Sequence, residues 1–124
     1  MDNANRRQHV RIKTDNLISH EATGRDGQVI SRSMGKALNV SRSGILLETS
    51  YPIVAEGISL MAVDLNDKLI EMRGRPIYCR GTDTGMYQTG ISFIGTEEDT
   101  ARFAVKLIKL FHYRKHNLIM QVAA

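Results

Sequence analysis

The chain contains no tryptophan, a single cysteine and only two prolines. With Cys79 alone, neither an internal disulfide nor a cysteine-based zinc site can form. Lone-cysteine usage alongside six methionines fits a reducing compartment. No apolar run comes near the ~20 residues needed to cross a bilayer. The amino terminus is polar and lacks the apolar core of a secretory signal, so a cytoplasmic protein is expected. Aromatic residues make up 6% of the chain, too few to interleave as a stacking platform for single-stranded bases. No glycine-rich phosphate loop opens a helix, which argues against nucleotide hydrolysis. What remains is a chain of 124 residues, enough for one core and too short for two.

Positive charge is present in modest excess, +4 overall, and it is unevenly placed. Arg6, Arg7, Arg11 and Lys13 fall between Asn5 and Lys13 with no acid among them, and residues 1–11 read as a cationic arm. Such an excess attracts anions without selecting among nucleotide, nucleic acid, acidic protein or membrane surface.

Behind the arm the pattern is mainly β, over residues 12–95. Extended segments are expected at Ile12–Thr23, Gln28–Ser33 continued by Gly35–Val40, Gly44–Thr49, Ile58–Leu65, Lys68–Arg80 and Met86–Ile94. Glycine- and asparagine-containing turns separate them, as at Gly24–Gly27, Asn66–Asp67 and Gly81–Gly85. Gly74 and Pro76 inside one strand point to a bulge or bend, and alternation there places Cys79 in the interior. Short strands at this spacing favour a small antiparallel barrel or sandwich. Thr96-Glu97-Glu98-Asp99 then reads as a helix start, followed by Ala104, Leu107, Ile108 and Phe111 at helical spacing. A carboxy-terminal helix is expected over residues 96–117.

Two features carry chemistry. The first is the arm, where Arg7 and Arg11 stand four apart with Arg6 ahead of them. A guanidinium fork binds phosphate bidentately, stacks on a purine and matches guanine O6 and N7. The second is the loop Asn39-Val40-Ser41-Arg42-Ser43-Gly44 between two strands. Its amide and hydroxyl suit a base edge, while Gly44 permits either close backbone approach or positive φ. Each feature alone has an ordinary explanation, the arm as a solvated tail and the loop as a turn.

Together, in this order and on this β pattern, they resemble the PilZ family. Arg7 and Arg11 match its RxxxR motif. Asn39, Ser41 and Gly44 match its D/N-x-S-x-x-G motif, and Gly90-Ile91-Ser92-Phe93 with the trailing helix follows its layout. The resemblance implies a six-stranded antiparallel β-barrel, with a flexible amino-terminal arm and a carboxy-terminal α-helix, that binds cyclic di-GMP. It implies that Arg7 and Arg11 contact phosphate and guanine, that Asn39 and Ser41 contact the guanine edge, and that Gly44 keeps the loop open. Arg6, directly before the motif, implies two stacked ligand molecules per domain. Arg42 and Ser43 inside the loop are weaker candidates. So is Tyr78, as a substitute for a stacking tryptophan.

Other candidates fall away. His112 and His116 sit at i, i+4 on the expected helix with no third ligand near, so no metal site is expected. Ser41 has neither base nor acid beside it in the motif and is no nucleophile. The expected function is therefore that of a non-enzymatic cyclic di-GMP receptor without further cofactor. On binding, its arm reorders and relays the signal to a protein partner in motility, biofilm or exopolysaccharide control. The competing readings are a small basic barrel binding nucleic acid and a protein adaptor that binds no nucleotide.

Overall fold

In the computed structural model, which describes residues 10–123, alternation sets the barrel. Along β1 (Ile12–Thr23), Thr14, Asn16, Ile18, His20 and Ala22 all point inward. That period of two leaves one face wet and one dry. Five more strands follow: β2 (Val29–Val40), β3 (Gly44–Thr49), β4 (Gly57–Val63), β5 (Leu69–Gly81) and β6 (Tyr87–Ile94). They close as an antiparallel barrel in the order β1-β2-β3-β6-β5-β4. Ile18, Val40, Ile45, Leu47, Ile58 and Leu60 fill its interior.

The two extended segments expected on either side of Met34 form one continuous strand, β2. Gly35 stays within it because a Cβ there would meet the Glu48 carbonyl and the Leu47 and Thr49 side chains, each at 3.0 Å. The bulge expected from Gly74 and Pro76 is present, as a register shift against β6 between Pro76 and Tyr78. Cys79 is a correction to the sequence reading: it is exposed, not buried. Its register partner Thr89 is buried, but β4 pairs with β5 only as far as Gly74. Beyond that point β5 runs on beside β6, and among the described residues no strand pairs with it on the β4 side.

Helix α1 (Glu97–Ala123) begins at its threonine cap, where the Asp99 amide donates to Thr96 Oγ1 at 3.1 Å. The Asp99 carboxylate pairs with Arg102 instead of reaching back, so the cap is one-sided. Phe103, Ala104, Leu107 and Leu110 pack onto the barrel, and Phe93 meets Phe103 edge-on at 5.6 Å. Two polar contacts pin the helix. Asn16 Nδ2 donates to the Leu107 carbonyl at 2.8 Å, and Lys106 lies 3.5 Å from Asp64. The Asp64 carboxylate also accepts the Lys68 and Asn66 amides; these contacts, with the Lys106 charge, hold its pKa below the ordinary value. The helix runs beyond residue 117, since no glycine or proline follows Gly95 to stop it. From His112 to His116 every side chain is exposed.

Candidate ligand-binding face

Strand register places the chemistry on one stretch of the barrel's outer surface. Lys13 pairs with Asn39, Asn39 with Leu46, Leu46 with Gly90, and Gly90 with Tyr78. These positions form a single row across five strands. At about 4.8 Å per strand the row spans roughly 19 Å. Arg11, just ahead of β1, reaches the same row, with its Nη1 donating to Asn39 Oδ1 at 2.8 Å. Arg11, Lys13, Asn39, Leu46 and Tyr78 line a shallow hollow of about 190 Å³.

Gly90 explains why the hollow has a floor. A Cβ at that position would overlap the Tyr78 ring, so the ring lies across the glycine. Tyr78 is nevertheless 49% exposed, leaving much of its ring open to a ligand.

The loop edges this face. Ser41 is buried, and its hydroxyl accepts the Ser43 and Gly44 amides, each at 3.2 Å, while its own amide donates to the Gly44 carbonyl at 2.8 Å. The Phe93 amide reaches the Ser43 carbonyl at 2.9 Å, stitching the loop to β6. Gly44 is needed for close approach, because a Cβ would collide with the Ile91 carbonyl. Positive φ is not the reason; among described glycines only Gly27 and Gly85 adopt it. Arg42 and Ser43 are exposed at the loop's tip. Arg42 also borders a second cleft, about 350 Å³, between the start of β1 and the Val105–Ile108 stretch of α1.

Among the described residues Arg11, Lys13 and Arg42 have no carboxylate partner. The face is thus an uncompensated cationic surface, with one amide already oriented by a guanidinium. A third cleft, about 330 Å³, sets Arg73, Arg102 and Lys106 beside Glu71 and Asp99, so that most of its positive charge is offset within it. No group of three or more metal-ligating side chains occurs among the described residues.

Of the residues singled out in the sequence, Arg11, Asn39 and Tyr78 meet in the hollow, and Ser41, Arg42, Ser43 and Gly44 form the adjoining loop. Arg6 and Arg7 lie outside the described residues. Lys13 and Leu46 join the site without having been marked by any motif. Only the pairing of β1, β2 and β3 brings them alongside Asn39.

No protein-family model matches the sequence, and no curated protein matches it. Solved structures do. The PilZ domain of YcgR from Escherichia coli, determined with c-di-GMP, superposes with a TM-score of 0.58 at 13% identity, covering 91% of this chain and 97% of that one. The PilZ domain of CeSA from a cellulose-synthesizing bacterium gives 0.53 at 18% identity, covering 86% and 99%. The Bacillus subtilis inhibitor of motility, MotI/DgrA, gives 0.54 at 16% identity; there 91% of this chain spans about half (51%) of the other. No helix among the described residues is long and apolar enough to cross a membrane. A closed six-stranded antiparallel barrel with a carboxy-terminal helix, superposable over most of its length on these domains, has the PilZ fold.

Proposed function

We propose that this face binds cyclic di-GMP and that the chain is a cytoplasmic receptor relaying that signal to a protein partner. The observation that carries the reading is the Arg11–Asn39 hydrogen bond. It joins the arm and the loop, 28 residues apart, at one hollow beside an exposed aromatic ring. Cyclic di-GMP offers guanine acceptors for a guanidinium, a base face for Tyr78, and phosphates for Lys13 and the arm to bind. The YcgR domain with the same fold was determined with c-di-GMP, which supports the assignment.

In this reading Arg7 and Arg11 clamp phosphate and guanine while Asn39 reads the base edge. Ser41 contributes through the loop shape that its hydroxyl holds, and Gly44 lets that loop sit against β6. Arg42 and Ser43 are peripheral contacts. Arg6 supports a second, stacked ligand. The role is binding, not catalysis: the Ser41 hydroxyl is engaged with Ser43 and Gly44, with no base at hand among the described residues. Motility control is the output suggested by the similarity to the Bacillus subtilis inhibitor of motility, and biofilm or exopolysaccharide control are related outputs.

Titration calorimetry with cyclic di-GMP tests this directly. Wild type should bind at micromolar or tighter affinity. Arg11→Ala removes a charge-assisted contact of about 1.5–3 kcal/mol and should weaken binding about 10- to 150-fold. Arg6→Ala should lower the stoichiometry from two to one. Binding of oligonucleotides with steep salt dependence, and none of cyclic di-GMP, would refute the proposal.

A further inference from the structure

We propose that Arg75, which no motif marks, is a further ligand-contact residue on the flank of the face opposite Arg11; this rests on reading the face as a cyclic di-GMP site. The argument begins with the bulge in β5. In a regular strand, residues 75 and 78 would point to opposite faces. Here Arg75 pairs with Ser92 and Tyr78 with Gly90, positions two apart on β6 and therefore on one face. Pro76 between them pairs with Ile91, whose side chain is 2% exposed and inside the barrel. Ile77 is the extra residue. Its insertion turns Tyr78 outward, onto the side that Arg75 already occupies.

Register also fixes the distance to the loop. Ser92 pairs with Gly44 on its other side, so Arg75 stands two strand spacings, about 10 Å, from the glycine of the loop. Arg11 and Lys13 approach the face from β1, at one end of the row; Arg75 and Tyr78 approach from β5, at the other. A cyclic dinucleotide carries phosphates and bases on both sides of its ring. A face with cations on one flank only would leave half of those acceptors to water.

Arg75 is also available. It is exposed and has no carboxylate partner among the described residues. Its neighbours on the strand differ. Arg80 is held by the Gln88 side chain at 3.3 Å, on the far side of Tyr78. Arg73 shares the outward face but pairs with Ile94, one step further from the loop, and borders the cleft that contains Glu71 and Asp99. Five guanidinium donors with no internal acceptor suit the phosphate and guanine edges of the ligand.

Arg73 supplies the control, since removing it costs the same net charge on the same face of the same strand. Calorimetric titrations with cyclic di-GMP would compare wild type with Arg75→Ala, Arg75→Lys, Arg73→Ala and Arg11→Ala, all checked for unchanged circular dichroism. Arg75→Ala should weaken binding at least tenfold and Arg73→Ala less than threefold, with Arg75→Lys between wild type and the alanine variant. If wild type binds and Arg11→Ala weakens it, yet Arg75→Ala matches Arg73→Ala, the contact is absent and the inference falls while the proposed function stands. If wild type does not bind at all, both fall together.

Discussion

Asn16 offers the most exacting test of how the barrel holds its helix. It is 2% exposed, sits where the β1–β2 register shifts, and donates to the Leu107 carbonyl at 2.8 Å. That carbonyl belongs to a helix turn and is an acceptor only. Asn16→Asp keeps the shape but replaces the donor with a second acceptor, charged at neutral pH. Loss of the hydrogen bond alone should cost about 1 kcal/mol. The charge adds more, since burial raises a carboxyl pKa by up to ~3–5 units at 1.36 kcal/mol each. Arg114 and Lys115 border the same cleft and offset part of this, while Asp15 opposes them. A total of about 3 kcal/mol at pH 7 is expected. The pH dependence then has a definite sign. A raised native pKa means the native state of the variant holds its proton longer than the unfolded chain. The deficit should therefore be small below the unfolded value of about 3.9 and grow as pH rises through the native pKa, because the protonated carboxyl of the variant can itself donate to the Leu107 carbonyl. Urea unfolding of wild type, Asn16→Asp and Asn16→Leu, which keeps the branching but removes the polar atoms, at pH 4 and pH 7 reads this out. Asn16→Leu should cost about the same at both. Equal costs for Asn16→Asp at the two pH values would refute the buried amide-to-carbonyl contact.

Two further outcomes follow from the core and the loop. His20 is 3% exposed, both ring nitrogens lack a partner among the described residues, and burial pushes its pKa below the ordinary value. The unfolded chain then takes up a proton that the native state refuses, so wild-type stability should be full above about pH 6.5 and fall below it. His20→Leu should flatten that part of the stability profile in urea titrations; an unchanged slope would clear His20 of responsibility. Gly44→Ala forces a methyl against the Ile91 carbonyl and should cost about 2 kcal/mol, seen as a melting temperature lower by several degrees. Gly81→Ala, whose new Cβ would meet only the Tyr87 ring at 3.7 Å, should stay within about 0.5 kcal/mol of wild type. Equal losses in the two would mean that close strand approach is not what Gly44 provides.

Local pattern suffices for the elements. Alternation from Thr14 to Ala22, the turn residues at Gly24–Gly27 and Asn66–Asp67, and the threonine cap of α1 all act over a few bonds, so each is readable from its own neighbours. The same is true of the arm and loop motifs as motifs. Cys79 shows where local reading ends: the strand there outruns β4, and coverage is a property of the neighbouring strand rather than of alternation. The far end of α1 lies beyond its expected stop because the absence of a stop signal is weaker information than its presence.

The site is divided in the same way. Arginines near the amino terminus and an asparagine-serine-glycine loop are written in the chain, and they name a chemistry of phosphate and guanine. That Arg11 grips Asn39, that Lys13 and Leu46 share its row, and that a single inserted residue swings Tyr78 onto the face of Arg75 depend on strand register. Register is settled by which hydrophobic set turns inward when all six strands close, a sum over the whole barrel that no short segment contains.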